Sequence, residues 1–475
     1  MTRRLLMLWV SGYALAWTLV TVLLDPTVPY DAVEALNWAQ NAEWGTPKNP
    51  WLVGVVMRPA LWLPPDVYWY ASHFLAIAIG MAGTWFLARQ LSGSTRLAWL
   101  ALLTLNLSGV INFDIICYND NYLLVMLWPW MMLFYWLAIH RNAQWWMAFA
   151  ITAGLAIMAK YSSLALVGFI FLSTLAIPSI RRCYREPAFY IALLIAFALI
   201  APNALWLWNH DFAAFRWVDS QIKPGFNLQM FINLLSIFYP LLILAWILRR
   251  AGAGLQWPVE WARRVMLGVY LLPLLVICGW FLFHDGGRLT EWLQPFFILS
   301  PALMVCCVKR DAPRSLSPAI KGLIAFAVLV ISGYVGVMTM NVANAGQKMR
   351  GIIPFSQQME RLWQERYETP LSYVGGEHMA QWLTFYTPSR PQIITRWDVA
   401  THPNIYNVHI SRRQIERHGA LLIGRVGVPC ASETFKRALY DWPEMKIDDT
   451  QQIAFHEDPA YPARPLCIAF VSPVS

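Results

Sequence analysis

Apolar residues fall in eleven long runs along the chain, at about 5–24, 66–88, 97–112, 121–139, 144–160, 162–179, 187–208, 227–248, 265–283, 291–308 and 320–340. Each run is roughly 17 to 22 residues, the length a helix needs to cross a bilayer core about 30 Å thick. Only Lys160-Tyr161-Ser162-Ser163 separates the fifth run from the sixth, so their boundary is the least defined. Two segments break the rhythm. Residues 25–65 are rich in Pro, Trp and Asn, and Tyr30 to Gly45 has a short amphipathic helical pattern. This composition predicts a loop lying in the membrane interface, with Trp38, Trp44, Trp51 and Trp62 at headgroup depth. Residues 341–475 are polar. They alternate strand-like runs (Leu371 to Val374, Gln392 to Thr395, Ala420 to Val426, Leu466 to Val471) with helical ones (Phe355 to Tyr367, His378 to Thr387, Ser432 to Leu439), enough for a small α/β domain. The expected fold is an all-α polytopic membrane protein of about eleven transmembrane helices, residues 1–340, followed by an extracytoplasmic α/β domain, residues 341–475.

Composition sharpens this. Hydrophobic residues make up 58% of the chain and charged ones 13%, against about 25% charged in a soluble protein, which excludes a soluble fold. The net charge of +9 would suit a nucleic-acid partner, but its placement argues against one. Sixteen of the 36 basic residues (Arg3, Arg4, Arg89, Arg96, Arg141, Arg181, Arg182, Arg185, Arg249, Arg250, Arg263, Arg264, Lys309, Arg310, Arg314, Lys321) occupy every second loop, as the positive-inside rule requires of the cytoplasmic side. The opposite loops hold six: Lys48, Arg58, Lys160, Arg216, Lys223 and Arg288. The basicity is topological. It predicts a cytoplasmic N-terminus and, with an odd number of spans, a periplasmic C-terminus in a bacterial inner membrane. Acidic residues show the reverse skew, with Asp31, Glu34, Asp114, Asp120 and Glu291 among those in the opposite loops. The first apolar run ends in Asp25-Pro26-Thr27 without a small-residue cleavage site and reads as an uncleaved span. Seven cysteines have no metal-ligand spacing; Cys430 and Cys467, both in the tail, could pair if the tail lies outside the cytoplasm.

Five stretches in order resemble the multi-spanning GT-C glycosyltransferases that use polyprenyl-phosphate sugars, among them the protein O-mannosyltransferases and the bacterial lipid A aminoarabinose transferase. They are YDAVEALNWAQNAEWGTPKNPWL (Tyr30 to Leu52), YNDNYLLVMLWPW (Tyr118 to Trp130), GLAIMAKYSSLAL (Gly154 to Leu166), PNALWLWNHDFAAFRW (Pro202 to Trp217) and RLTEWLQPFFIL (Arg288 to Leu299). The resemblance implies transfer of a sugar from an undecaprenyl-phosphate donor, with inversion, to a lipid, glycan or protein acceptor of the cell envelope. Such a reaction needs a base to take the acceptor hydroxyl's proton and a cation to stabilise the departing phosphate. Asp31 matches the leading acid of the family loop and is the candidate base; the plainer reading is a solvated or helix-capping Asp. Glu34 lies one helical turn along, although the family's adjacent second acid is replaced here by Ala32. Asp120 matches the second acidic site, with a helix N-cap as its alternative. Lys160, after fifteen apolar residues, either meets a phosphate or snorkels. Arg288 either contacts the donor phosphate or pairs with Glu291, and Lys48 is a further loop cation. Asp114 is a weaker candidate, and His73, His210 and His284 read as satisfied interface residues. No cofactor is demanded, although a divalent cation between Asp120 and the first loop would be compatible. The competing function is a transporter or flippase of a lipid-linked glycan; such proteins place ionisable groups near the midplane and repeat their halves, and neither feature is visible here.

Overall fold

The computed structural model describes residues 3–24, 27–41, 43–118, 120–286, 289–309, 316–340, 351–395, 409–457 and 462–474. Helices occupy all eleven of the expected runs, but their lengths differ. Among the described residues eight are long and apolar enough to cross a membrane: Arg3–Leu24, Pro65–Ser92, Asn121–His140, Pro187–Asn209, Gln229–Arg250, Trp261–Leu282, Leu289–Cys306 and Ser317–Thr339. A bent pair, Thr95–Leu107 with Val110–Cys117, makes a ninth if counted as one. Trp145–Ala159 and Ser163–Ala176 are shorter apolar helices, so length and composition give eight or nine spans where the sequence pattern suggested eleven.

Two of the breaks position the site. The expected straight span over 97–112 instead turns by 68° at Ser108-Gly109, a Ser/Gly pair of the kind that kinks helices. Backbone carbonyls released by a break inside a membrane need new donors. The Asn112 amide supplies them, donating to Asn106 O at 3.0 Å and Ser108 O at 2.8 Å. Trp69 Nε1 donates to Ile116 O at 3.0 Å and fastens the bent segment to the Pro65–Ser92 helix. The second break is at Lys160, whose backbone is extended (φ −155°, ψ 131°) where Trp145–Ala159 stops. Nearby, Ser163 Oγ accepts from Trp128 Nε1 at 3.1 Å.

The bundle packs closely around these breaks. A Cβ added at Gly80 would lie 2.1 Å from the Val125 carbonyl oxygen, so only glycine lets the Pro65–Ser92 and Asn121–His140 helices approach this far. Thr84 Oγ1 donates to Ile298 O at 3.0 Å, which brings in the Leu289–Cys306 helix.

The tail forms a five-stranded mixed sheet in the order Gln392–Ile393, Tyr373–Gly376, Ala420–Ile423, Arg464–Val471, Asp449–Phe455. The first three strands pair in parallel and the last two join antiparallel. The Asp449–Phe455 strand and the Arg412–His418 helix were not foreseen from the pattern; both are short and amphipathic in only a few positions. Cys430 and Cys467 form a disulfide, with Cα atoms 4.8 Å apart.

The tail docks on the first interfacial loop. The Val28 N–H donates to Tyr386 Oη at 2.8 Å, and Asn37 Nδ2 donates to Gln381 Oε1 at 3.0 Å. Arg390 donates to Ala60 O and, at 3.0 Å, to Leu63 O. This contact corrects one expectation. Trp38 is 3% exposed and part of the core, because the tail and the Leu52–Met57 helix cover its helix, whereas Trp44 and Trp62 are exposed as an interfacial residue should be.

Candidate active site

Five connections meet at one end of the bundle, the end that lacks the basic clusters, and enclose a cavity of about 660 Å³. The interfacial loop contributes Asp31, Glu34 and Lys48; the junction before Asn121–His140 contributes Asp120; the Lys160 break contributes Lys160 and Tyr161. The Ala213–Gln221 helix adds Phe215 and Trp217, and the last connection adds Asp285 together with Glu291 and Trp292 from the start of Leu289–Cys306. A two-stranded ribbon, Ile222–Pro224 against His284–Gly286, ties the last two connections together.

Asp31 and Glu34 share one face of the Tyr30–Asn41 helix, Asp31 in its first turn. Lys48 reaches back across the loop and grips Glu34, with Nζ 2.6 and 2.7 Å from the two carboxylate oxygens. The same ammonium lies 5.1 Å from the centre of the Trp217 ring, a cation–π distance. Gly45 makes this loop path fit, since a Cβ there would fall 2.2 Å from the Trp206 ring.

Lys160 is the hub of the opposite wall. Its Nζ is 3.0 Å from Asp120 Oδ2, 2.9 Å from Asn121 Oδ1 and 3.5 Å from Glu291 Oε2. Asp120 occupies the N-cap position of its helix yet makes no capping hydrogen bond; its carboxylate serves Lys160 instead. An ammonium held by two carboxylates and an amide is not a snorkelling one.

The Asp31 carboxyl titrates well above its ordinary value. Burial pushes it up to about 7, helped by Glu34, opposed by Lys48, and raised further by Glu291 and Asp120. Burial is the larger cause, and the neighbouring carboxylates add to it. His378, from the tail, is pushed down to about 2 by burial and by the charge of Lys48.

Of the six candidates, Asp31, Glu34, Asp120, Lys160 and Lys48 line the one cavity. Arg288 lies outside the described residues. Its alternative partner, Glu291, faces Lys160. The three histidines are engaged structurally: His73 between Trp69 O and Tyr118 O, His210 stacked on Trp206 and His284 on Trp280. Among the described residues no group of three or more His, Cys, Asp or Glu side chains is arranged to hold a metal ion. The sequence reading missed Asn121, Gln294 and Trp217. Two of these are buried amides inside or beside apolar runs, a position where an uncharged polar group is itself a signal.

Residues 64–206 match the model of the dolichyl-phosphate-mannose-protein mannosyltransferase family. No curated protein sequence matches the chain. Two solved structures resemble nearly all of it. ArnT from Cupriavidus metallidurans bound to undecaprenyl phosphate superposes with a TM-score of 0.59 at 14% identity, covering 99% of this chain and 98% of that one. The apo state of the same protein gives 0.61 at 14% identity, covering 98% and 97%. The fold is that of the ArnT structures, and residues 64–206 match the mannosyltransferase family model.

Proposed function

We propose that this chain is an integral membrane glycosyltransferase that moves a sugar from a polyprenyl-phosphate donor to a cell-envelope acceptor at the periplasmic face of a bacterial inner membrane. In this reading the acceptor hydroxyl oxygen attacks the anomeric carbon from the side opposite the phosphate. Asp31 takes the hydroxyl proton, the bond from carbon to phosphate oxygen breaks, and the polyprenyl phosphate leaves as an anion, with inversion. Lys160, Lys48 and Arg288 are assigned to that anion, Asp120 and Glu34 to holding the two lysines. The bound undecaprenyl phosphate of the ArnT structure supports this choice of donor. The acceptor, a lipid A or lipopolysaccharide, another glycan or a protein, is left to the chemistry of the envelope. The N-terminus is assigned to the cytoplasm and residues 341–475 to the periplasm.

The observation that carries the reading is that Asp31, a carboxylate poised near neutrality, and Lys160, a cation on the facing wall, line the same cavity. A base should titrate near the working pH, so transfer should rise with pH through about 7 and level off above it. Asp31→Asn tests the assignment directly. The variant should insert and accumulate but transfer no sugar, measured as labelled sugar moved from undecaprenyl-phosphate donors in membranes; full activity would remove Asp31 from the mechanism. Stability gives a second check. Asp31 binds its proton more tightly folded than unfolded, so it costs stability progressively as pH rises from about 4 to about 7. The Asn variant escapes that cost, and its melting temperature should gain on the parent across that window.

A further inference from the structure

Asp114 is the one acidic candidate that lies off the cavity, since it is not among the lining residues. It is nevertheless connected to it. Asp114 Oδ2 accepts from Gln294 Nε2 at 2.9 Å; Gln294 Oε1 accepts from Asn121 Nδ2 at 2.6 Å; Asn121 Oδ1 accepts from Lys160 Nζ at 2.9 Å. Both amides are fully buried. The bend at Ser108-Gly109 is what places Asp114 against the Leu289–Cys306 helix, where Gln294 sits one turn beyond Glu291.

We propose that Asp114 is a positioning residue for Lys160, acting through Gln294 and Asn121 to fix which way both amides face. An amide has nearly the same shape in its two orientations but opposite hydrogen-bonding polarity. An ionised carboxylate only accepts and an ammonium only donates, so Asp114 at one end and Lys160 at the other select the same sense of the chain. Turned the other way, Asn121 would present its NH₂ to the ammonium, donor against donor. Asn121 Nδ2 also donates to Glu291 O at 3.0 Å, so the same orientation anchors the backbone that carries Glu291. The ammonium is thereby held between Asp120, Glu291 and an oxygen that cannot turn away. This role rests on the transferase reading only in what Lys160 then binds.

The test uses the full chain in nanodiscs, with undecaprenyl phosphate as the binding probe. A second readout is the pH profile of Lys160 acetylation by acetic anhydride, followed by mass spectrometry. Asp114→Asn, which can donate as well as accept, should weaken binding about tenfold and lower the pH midpoint of Lys160 acetylation. Asp114→Glu should stay near the parent. Gln294→Leu should match Asp114→Asn, and the double variant should be no worse than either single, because one chain cut twice is still one cut. Parent-like binding and midpoint in Asp114→Asn, or additive losses in the double variant, would overturn the proposal. Should Asp114→Asn fail to accumulate, an unshifted midpoint in Gln294→Leu overturns it equally. If the parent itself binds no undecaprenyl phosphate, the donor assignment falls, and the acetylation midpoints alone decide the relay.

Discussion

Lys48 and Lys160 face one cavity but are held in opposite ways. Lys48 comes from the interfacial loop, grips Glu34 and lies near the Trp217 ring, with 19% of its side chain exposed. Lys160 comes from a break between two membrane helices and meets Asp120, Glu291 and Asn121, with 13% exposed. The first is a latch across a loop and the second is a fixed post in the bundle wall. The difference separates two tasks that a transferase of this kind must combine, holding a phosphate in a constant place and letting an acceptor reach it.

The largest effect is expected at the post. Lys160→Ala leaves Asp120 and Glu291 facing each other inside the protein without their shared counter-ion. Breaking a buried pair by removing one partner typically costs about 3–5 kcal/mol. The variant should therefore melt well below the parent as well as lose binding of undecaprenyl phosphate, both measurable on the purified chain. Simple snorkelling would leave the melting temperature unchanged, and that result would return Lys160 to a passive role.

The post was readable in the sequence because a lysine at the end of fifteen apolar residues is hard to explain without an anion. The acid pair of the loop was readable for the same reason, and so were the helices, whose apolar runs are long. What escaped was anything that depends on neutral polarity or on a break inside an apolar run. The bend at Ser108-Gly109 leaves the apolar run intact, and only the Asn112 amide, which replaces the lost donors, betrays it. Asn121 and Gln294 carry no charge, so they did not stand out, although each sits where no water can satisfy it. The Lys160–Glu291 contact joins two separate stretches of the chain; pairings of that kind follow from packing and leave no local pattern.

The latch should show a smaller and more specific effect. Lys48 lowers the Asp31 pKa while Glu34 raises it, so the two sides of one ion pair act oppositely on the proposed base. Lys48→Ala should move the acid limb of the pH–rate profile upward from about 7, and Glu34→Gln should move it downward. Losing Lys48 also strips Glu34 of charged hydrogen bonds, worth about 2 kcal/mol. Limbs that move together, or do not move, would place the titrating group elsewhere than Asp31.

The smallest effect is expected where the tail meets the loop. Tyr386 Oη accepts the Val28 N–H at 2.8 Å, two residues before the Tyr30–Asn41 helix begins. Gln381, just over one turn earlier on the Ala380–Tyr386 helix, accepts from Asn37, about one turn beyond Glu34 on the acid-bearing helix. The tail thus clamps that helix just before its start and at its middle. Tyr386→Phe removes one acceptor and leaves a backbone N–H unpaired, a loss of about 1 kcal/mol. If the tail serves to aim Asp31, the turnover rate should fall severalfold while the affinity for undecaprenyl phosphate, set by the post, stays put. A change in donor affinity with turnover intact would mean instead that the tail's influence runs through the wall of the bundle, and the division between latch and post would have to be redrawn.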